Sequence, residues 1–113
     1  MPTIALDSSR IADWLSFHVV CAETFGFPDF YGNNMNAWID CLTYVDDPGD
    51  AMSKITVPRG KVLTINLLHA ASFAQRCPEQ FEALIDATAF VNYRRLEVGQ
   101  EPVLALAYFR SGG

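Results

Sequence analysis

The polar side chains with the most suggestive spacing lie between residues 33 and 47. They recur at intervals of three or four residues: Asn33, Asn36, Asp40, Thr43 and Asp47. In a helix, residues three and four apart share a face, so these side chains would form one polar ridge. Carboxylate and carboxamide oxygens on such a ridge can accept hydrogen bonds from cationic groups. The spacing therefore predicts a helix that presents these groups to solvent.

Catalytic and metal-binding chemistry has weaker support. The cysteines (Cys21, Cys41 and Cys77) lack CxxC spacing, and the two histidines, His18 and His69, are 51 residues apart. Cys77 precedes a predicted helix, whose N-terminus can lower a thiol pKa, but Cys41 has apolar neighbours typical of a core. Neither the spacing of zinc ligands nor a glycine-rich phosphate loop is present. We therefore expect a protein that is not an enzyme and that uses no metal or small-molecule cofactor.

Length and composition indicate one globular domain over residues 1–113. Half of the 113 residues are apolar, enough for a core without disulfides or metals. No apolar run approaches the roughly 18 residues of a membrane span, and the N-terminus does not resemble a signal peptide. An odd number of cysteines is typical of reduced thiols. These features predict a cytoplasmic protein that does not enter a membrane.

The charges are distributed unevenly along the chain. Residues 11–53 contain seven acids and no lysine or arginine, whereas the remainder contains eight basic and six acidic residues. The first segment therefore carries −7 and the rest +2, which sum to the net charge of −5. Such a field would attract a basic partner and repel nucleic acid. The alternative is that the acidic residues only aid solubility.

Helix signals surround the polar ridge. Pro28 should end the preceding helix, Gly32 should occupy a turn at positive φ, and either Asn33 or Asn34 should cap the next helix. The helix should run to about Val45. Its apolar face is predicted to consist of Met35, Trp38, Ile39, Leu42 and Val45.

The remaining pattern predicts a small α/β domain. A helix over residues 9–25 should place His18 among core residues, and a second long helix should follow Cys77 and stop near Gly99. The pair Arg94 and Arg95 should complement the dipole of that second helix. Strands are predicted at residues 3–6, 61–68 and 102–109, with a helical turn at 69–76 and an edge strand at 54–57. The run at 61–68 should be buried on both faces of a three-stranded parallel sheet packed with helices.

One stretch resembles a known family. The matching residues are Pro28, Tyr31, Gly32, Asn34, Ala37, Asp40, Cys41, Leu42 and Thr43. This combination of loop and helix resembles the barstar family, small intracellular ribonuclease inhibitors from bacteria. The close match covers roughly a fifth of the chain. The resemblance implies the same layered α/β architecture.

The resemblance also implies a partner-binding surface. Its residues would be Phe30, Asn34, Asn36, Ile39, Asp40, Thr43 and Val45. Asp40 matches the family's central carboxylate, which enters the nuclease active site. The barstar pattern has an aspartate at Asn36, tryptophans at Ile39 and Val45, and, when the last helices are aligned through Gly99, a glutamate at Arg94. These departures imply a partner other than barnase, or altered contacts.

Two functions follow as hypotheses. The first is a ribonuclease inhibitor or immunity protein, whose partner would be a small basic ribonuclease or nuclease toxin and whose mechanism would be occlusion of the active site. The second is a non-inhibitory interaction module of the barstar fold, which binds another protein or itself. Because exposed charge pairs are screened by salt, the first hypothesis predicts binding that weakens steeply with ionic strength.

Overall fold

The computed structural model describes residues 2–47 and 57–109. The elements within these ranges are β1 (Thr3–Asp7), α1 (Trp14–Phe25), α2 (Met35–Thr43), β2 (Leu63–Leu68), α3 (Ala70–Arg76), α4 (Pro78–Glu97) and β3 (Leu104–Ala107). A single 3₁₀ turn, Ser8–Arg10, follows β1 directly. None of the helices in these two ranges is both long and apolar enough to cross a membrane.

The three strands form a parallel sheet in the order β1, β2, β3. Ile65 of β2 lies between Ile4 of β1 and Leu106 of β3. Parallel neighbours require crossover connections, and the helices α1 and α2, then α3 and α4, belong to the two crossovers. The predicted three-stranded parallel sheet with packed helices is confirmed.

The prediction that β2 is buried on both faces is wrong in part. Leu63, Ile65 and Leu67 are buried, whereas Asn66 between them is exposed. Successive side chains of a strand point to opposite faces, so one face of β2 is only partly covered. The apolar run predicted the central strand correctly but not this asymmetry.

The first helix begins later than predicted because two capping residues follow each other. Asp7 caps the 3₁₀ turn, its carboxylate accepting from the Ser9 N–H at 3.0 Å. Asp13 then caps α1 in a reciprocal arrangement, accepting from the Ser16 N–H at 2.8 Å while the Ser16 hydroxyl accepts from the Asp13 N–H at 3.0 Å. Gly26 ends α1 in the left-handed region with φ 69°, as predicted.

The core anchors α2 through one large side chain. Trp38 is fully buried and packs edge-on against Phe25 of α1, with ring centroids 6.2 Å apart. On its other side α2 packs against α4. An aromatic residue of this size, buried in the middle of a nine-residue helix, fixes the helix against rotation about its axis.

Some predicted features lie outside the described residues. These are the turn residues 48–50, most of the edge strand at 54–57 and the tail after Phe109. Val57 is described: it is buried, and its N–H donates to the carbonyl of Val45 at 3.0 Å. This bond holds the chain at Val57 against the segment that follows α2.

Candidate functional site

The loop before α2 is shaped by two consecutive asparagines. Asn34 is the N-cap, its side-chain oxygen accepting from the Ala37 N–H at 2.8 Å and its amide donating to the Gly32 carbonyl at 3.1 Å. The positive φ belongs to Asn33 (52°) and not to Gly32, so that prediction is wrong. Asparagine tolerates this region, and Gly32 has a different role. A Cβ at Gly32 would lie 3.1 Å from the Asn34 amide, which would crowd the cap.

Tyr31 connects the same loop to α1 through a hydrogen bond to His18. Its hydroxyl is 2.7 Å from Nδ1 of His18, which is only 3% exposed and stacks on Trp14. The prediction that His18 is a satisfied core residue is confirmed. Desolvation by burial lowers the pKa of His18 and raises the pKa of Tyr31. The loop that precedes α2 therefore depends on a buried, neutral imidazole.

This buried histidine predicts a pH-dependent stability. Because the pKa of His18 is lower in the folded state, the unfolded chain binds the extra proton, and stability falls as pH drops below about 6.5. The loss from this group should reach up to about 1.4 kcal/mol per pH unit until the folded-state pKa is passed. Urea unfolding at several pH values measures it. A His18→Gln variant should lack this component, and an unchanged pH slope in the variant would refute the assignment.

The polar ridge in the structure is shorter than predicted. Asn36 and Asp40 are exposed on α2, as predicted. The prediction that Thr43 faces solvent is wrong: it is 4% exposed, and its hydroxyl donates to the Ile39 carbonyl at 2.6 Å. The helix ends at Thr43, so helical spacing does not extend to Asp47. The exposed polar part of α2 is therefore centred on Asp40.

The other predicted site residues occupy three different environments. Phe30 is 76% exposed in the loop, and Asn34 is exposed while it caps α2. Val45 is buried, so its side chain, like that of Thr43, is not presented to a partner. Ile39 is nearly buried, at the edge of a groove of about 410 Å³ between α2 and α4. The groove is lined by Met35, Ile39, Ala83, Asp86, Ala87 and Phe90.

The family resemblance placed Arg94 of α4 at this surface, but sequence reasoning missed Phe90 of the same helix. Phe90 is 47% exposed and borders the groove beside Ile39. It also stacks on the exposed Tyr93, with ring centroids 6.3 Å apart. The available signal was position: Phe90 falls outside the apolar stripe that α4 buries. An aromatic residue off the buried face is a candidate for a binding surface.

Asp40 is paired in the folded chain. Its Oδ1 lies 2.9 Å from Nη1 of Arg94 on α4, and the two side chains are 55% and 35% exposed. This contact joins residues 54 positions apart, so local spacing does not indicate it. The sequence predicted only a helix-dipole role for Arg94 and, through the family resemblance, an interface position. The proposed central carboxylate therefore has an arginine of its own chain beside it.

Arg95, the next residue, is buried and makes a different set of bonds. Its guanidinium holds Asp46 in a bidentate pair, with N–O distances of 3.0 and 2.7 Å. It also donates to the carbonyls of Thr43 at 2.8 Å and Glu101 at 2.7 Å. Arg95 thereby satisfies an orphan carbonyl at the C-terminal end of α2. One buried side chain supports the helix that presents Asp40.

The acidic segment is less negative at the surface than its composition suggests. Besides Asp40 and Asp46, Glu23 is paired, with an oxygen 2.7 Å from Nη2 of Arg10. Three of the seven acids in residues 11–53 thus have arginine partners from outside that segment. The steering field predicted from the charge distribution is correspondingly weaker.

The cysteines lie outside this surface, and the potential metal ligands among the described residues are dispersed. All three cysteines are buried and free, and burial raises the pKa of the Cys21 thiol to about 12. Across residues 2–47 and 57–109, no group of three or more His, Cys, Asp or Glu side chains could hold a metal ion. The surface around Asp40 presents a carboxylate, carboxamides and an aromatic ring, groups that can bind another molecule by shape and charge.

Comparison with known proteins agrees with this geometry. The sequence model of one family, described as Barstar (barnase inhibitor), matches residues 1–104. The resemblance seen in the sequence is confined to the loop and α2. The family match is wider and covers the chain from β1 to the first residue of β3. No curated protein matches the chain at a significant level.

Proposed function

The chain belongs to the barstar family, and from that membership we propose that it is a protein inhibitor of a ribonuclease. The inhibitor would act through the loop–α2 surface, which we define as the exposed side chains of Phe30, Asn34, Asn36 and Asp40. The observation that carries the proposal is Asp40, an exposed carboxylate on a helix held by the core. The mechanism is occlusion of the nuclease active site.

The chemistry of the target explains why a carboxylate would serve. A ribonuclease must hold a phosphodiester, so its active site is lined with cationic groups. A carboxylate placed where a phosphate would bind makes charge-assisted hydrogen bonds to the same groups. It contains no scissile phosphodiester bond, so the enzyme is blocked and the inhibitor is unchanged.

The support beneath Asp40 favours tight binding. The Asn34 cap fixes the start of α2, Trp38 fixes its rotation and Arg95 binds the carbonyl of Thr43 at its end. A side chain held in its bound position loses little conformational freedom on association. Phe30, 76% exposed, adds the aromatic contact that interface centres favour.

The predicted site residues would then divide into two roles. Phe30, Asn34, Asn36 and Asp40 would contact the nuclease, and Ile39 would contribute at the edge of the groove. The buried Thr43 would support the surface from beneath, and Val45, which is also buried, would do the same.

We propose a small basic ribonuclease or nuclease toxin as the partner. Asn36 presents a neutral amide and Asp40 already has a cation beside it, so the surface is suited to a target other than barnase, or to altered contacts with it. A cytoplasmic location fits the three free cysteines, which a reducing compartment would preserve.

Calorimetric titration against several small basic bacterial ribonucleases, barnase included, tests the proposal. We expect a one-to-one complex with at least one enzyme. Affinity should fall between about 0.01 M and 1 M salt, over which the screening length shrinks from about 30 to 3 Å. Absence of binding to every enzyme would contradict the proposal and favour a non-inhibitory interaction module of the same fold.

A further inference from the structure

Arg94 of α4 lies beside Asp40 of the loop–α2 surface. The inference about its role rests on the proposed function. Its Nη1 is 2.9 Å from Oδ1 of Asp40, and its side chain is 35% exposed. A partner group that contacts Asp40 therefore lies close to the guanidinium. The two charges sum to zero, so this part of the surface offers a cation as well as an anion.

The surface continues past Arg94 on the α4 side. Phe90 lies one turn before Arg94 on the same helix face, and it borders the groove that Ile39 edges on α2. A partner that covers Asp40 and this groove must also cover Arg94. The arginine is then inside the contact area and not at its rim, where charges are well screened.

No rotation of the Arg94 side chain removes its positive charge from the contact area. The Asp46 carboxylate is already bound by the buried guanidinium of Arg95 in a bidentate pair. Glu97 lies one turn further along α4, within reach of an arginine that rotates away from Asp40. Rotation towards Glu97 would free Asp40 but would leave the positive charge a few ångströms away.

We infer that Arg94 determines which ribonuclease this surface accepts. The fitting partner places a carboxylate against Arg94 beside the cation that contacts Asp40. An active site bordered by cations alone brings like charges together at Arg94, which disfavours binding and slows association. Arg94 thus selects against the most strongly basic targets while Asp40 selects for a cationic centre.

Barnase is a suitable probe, with binding and association rates measured for the wild type, Arg94→Gln and Arg10→Gln. We expect Arg94→Gln to bind barnase at least tenfold more tightly than the wild type and to associate faster. Arg10→Gln is the matched control, because it removes the same charge from another exposed ion pair, with Glu23 of α1. Its affinity should stay near the wild-type value. Thermal unfolding of both variants verifies that they fold.

Three results would overturn the inference. The Arg94→Gln variant could bind barnase no better than the wild type, or Arg10→Gln could improve binding equally, which would reduce the effect to net charge. Failure of both the wild type and Arg94→Gln to bind would also contradict it, because Arg94 is inferred to be the obstacle. The proposed function is judged separately, by the wild type against the wider set of enzymes, so the two failures are distinguishable.

Discussion

An Arg95→Ala variant is expected to lose about 3–5 kcal/mol of unfolding free energy, because one side of a buried ion pair disappears. The side chains of Arg95 and Asp46 are only 5% and 12% exposed. Without the guanidinium, the Asp46 carboxylate stays largely buried with no counter-charge, and the carbonyls of Thr43 and Glu101 lose their donor. Urea unfolding followed by tryptophan fluorescence measures the loss.

The adjacent arginine provides the control for this prediction. Arg94→Ala removes an exposed pair, which is typically worth 0 to about 1 kcal/mol. Replacing both buried partners, as Arg95→Met with Asp46→Leu, should restore much of the stability, since no charge is then left unpaired. Equal losses for Arg95→Ala and Arg94→Ala would show that the buried pair does not stabilise the fold as described.

An Asp40→Ala variant is expected to bind its ribonuclease more weakly by about 2 kcal/mol or more, the usual threshold of an interface hot spot. Two effects add. The nuclease cations lose the carboxylate that replaces the phosphate, and Arg94 is left facing those cations without its counter-ion. Calorimetry with any ribonuclease that the wild type binds gives the difference in affinity.

Glu23→Ala is the matched control for Asp40. Glu23 is also an exposed acid paired with an arginine, but it lies on α1, outside the loop–α2 surface. Its removal should change the binding free energy by less than about 0.5 kcal/mol, as is usual for surface positions without a specific role. Similar losses for the two variants would mean that total charge, and not the position of Asp40, governs binding.

Most of the fold could be predicted because its signals are local. Apolar periodicity located the helices and the central strand, and the capping residues Asn34 and Gly26 lie within a few positions of the elements they bound. The order of the elements then restricted the topology to a parallel sheet with crossovers. The predicted start of α1 is too early because Asp7 and Asp13 are both favourable N-cap residues, and Asp7 caps only the short 3₁₀ turn.

The electrostatics of the site could not be predicted in the same way. The pairs of Asp40 with Arg94 and of Asp46 with Arg95 join positions 54 and 49 residues apart, so local spacing does not indicate them. Both depend on how α2 packs against α4. The burial of Thr43 has the same origin, since helical spacing alone places it beside Asp40 on the exposed ridge.

RNA cleavage by small basic bacterial ribonucleases, titrated with the wild-type protein, tests most directly whether the chain is an active-site inhibitor. The expected result is that at least one enzyme loses activity in proportion to the added protein, until none remains at one inhibitor per enzyme. Asp40→Ala should require a much higher concentration for the same effect. Cleavage at the full rate by every enzyme, including any that binds the protein, would contradict inhibition by occlusion.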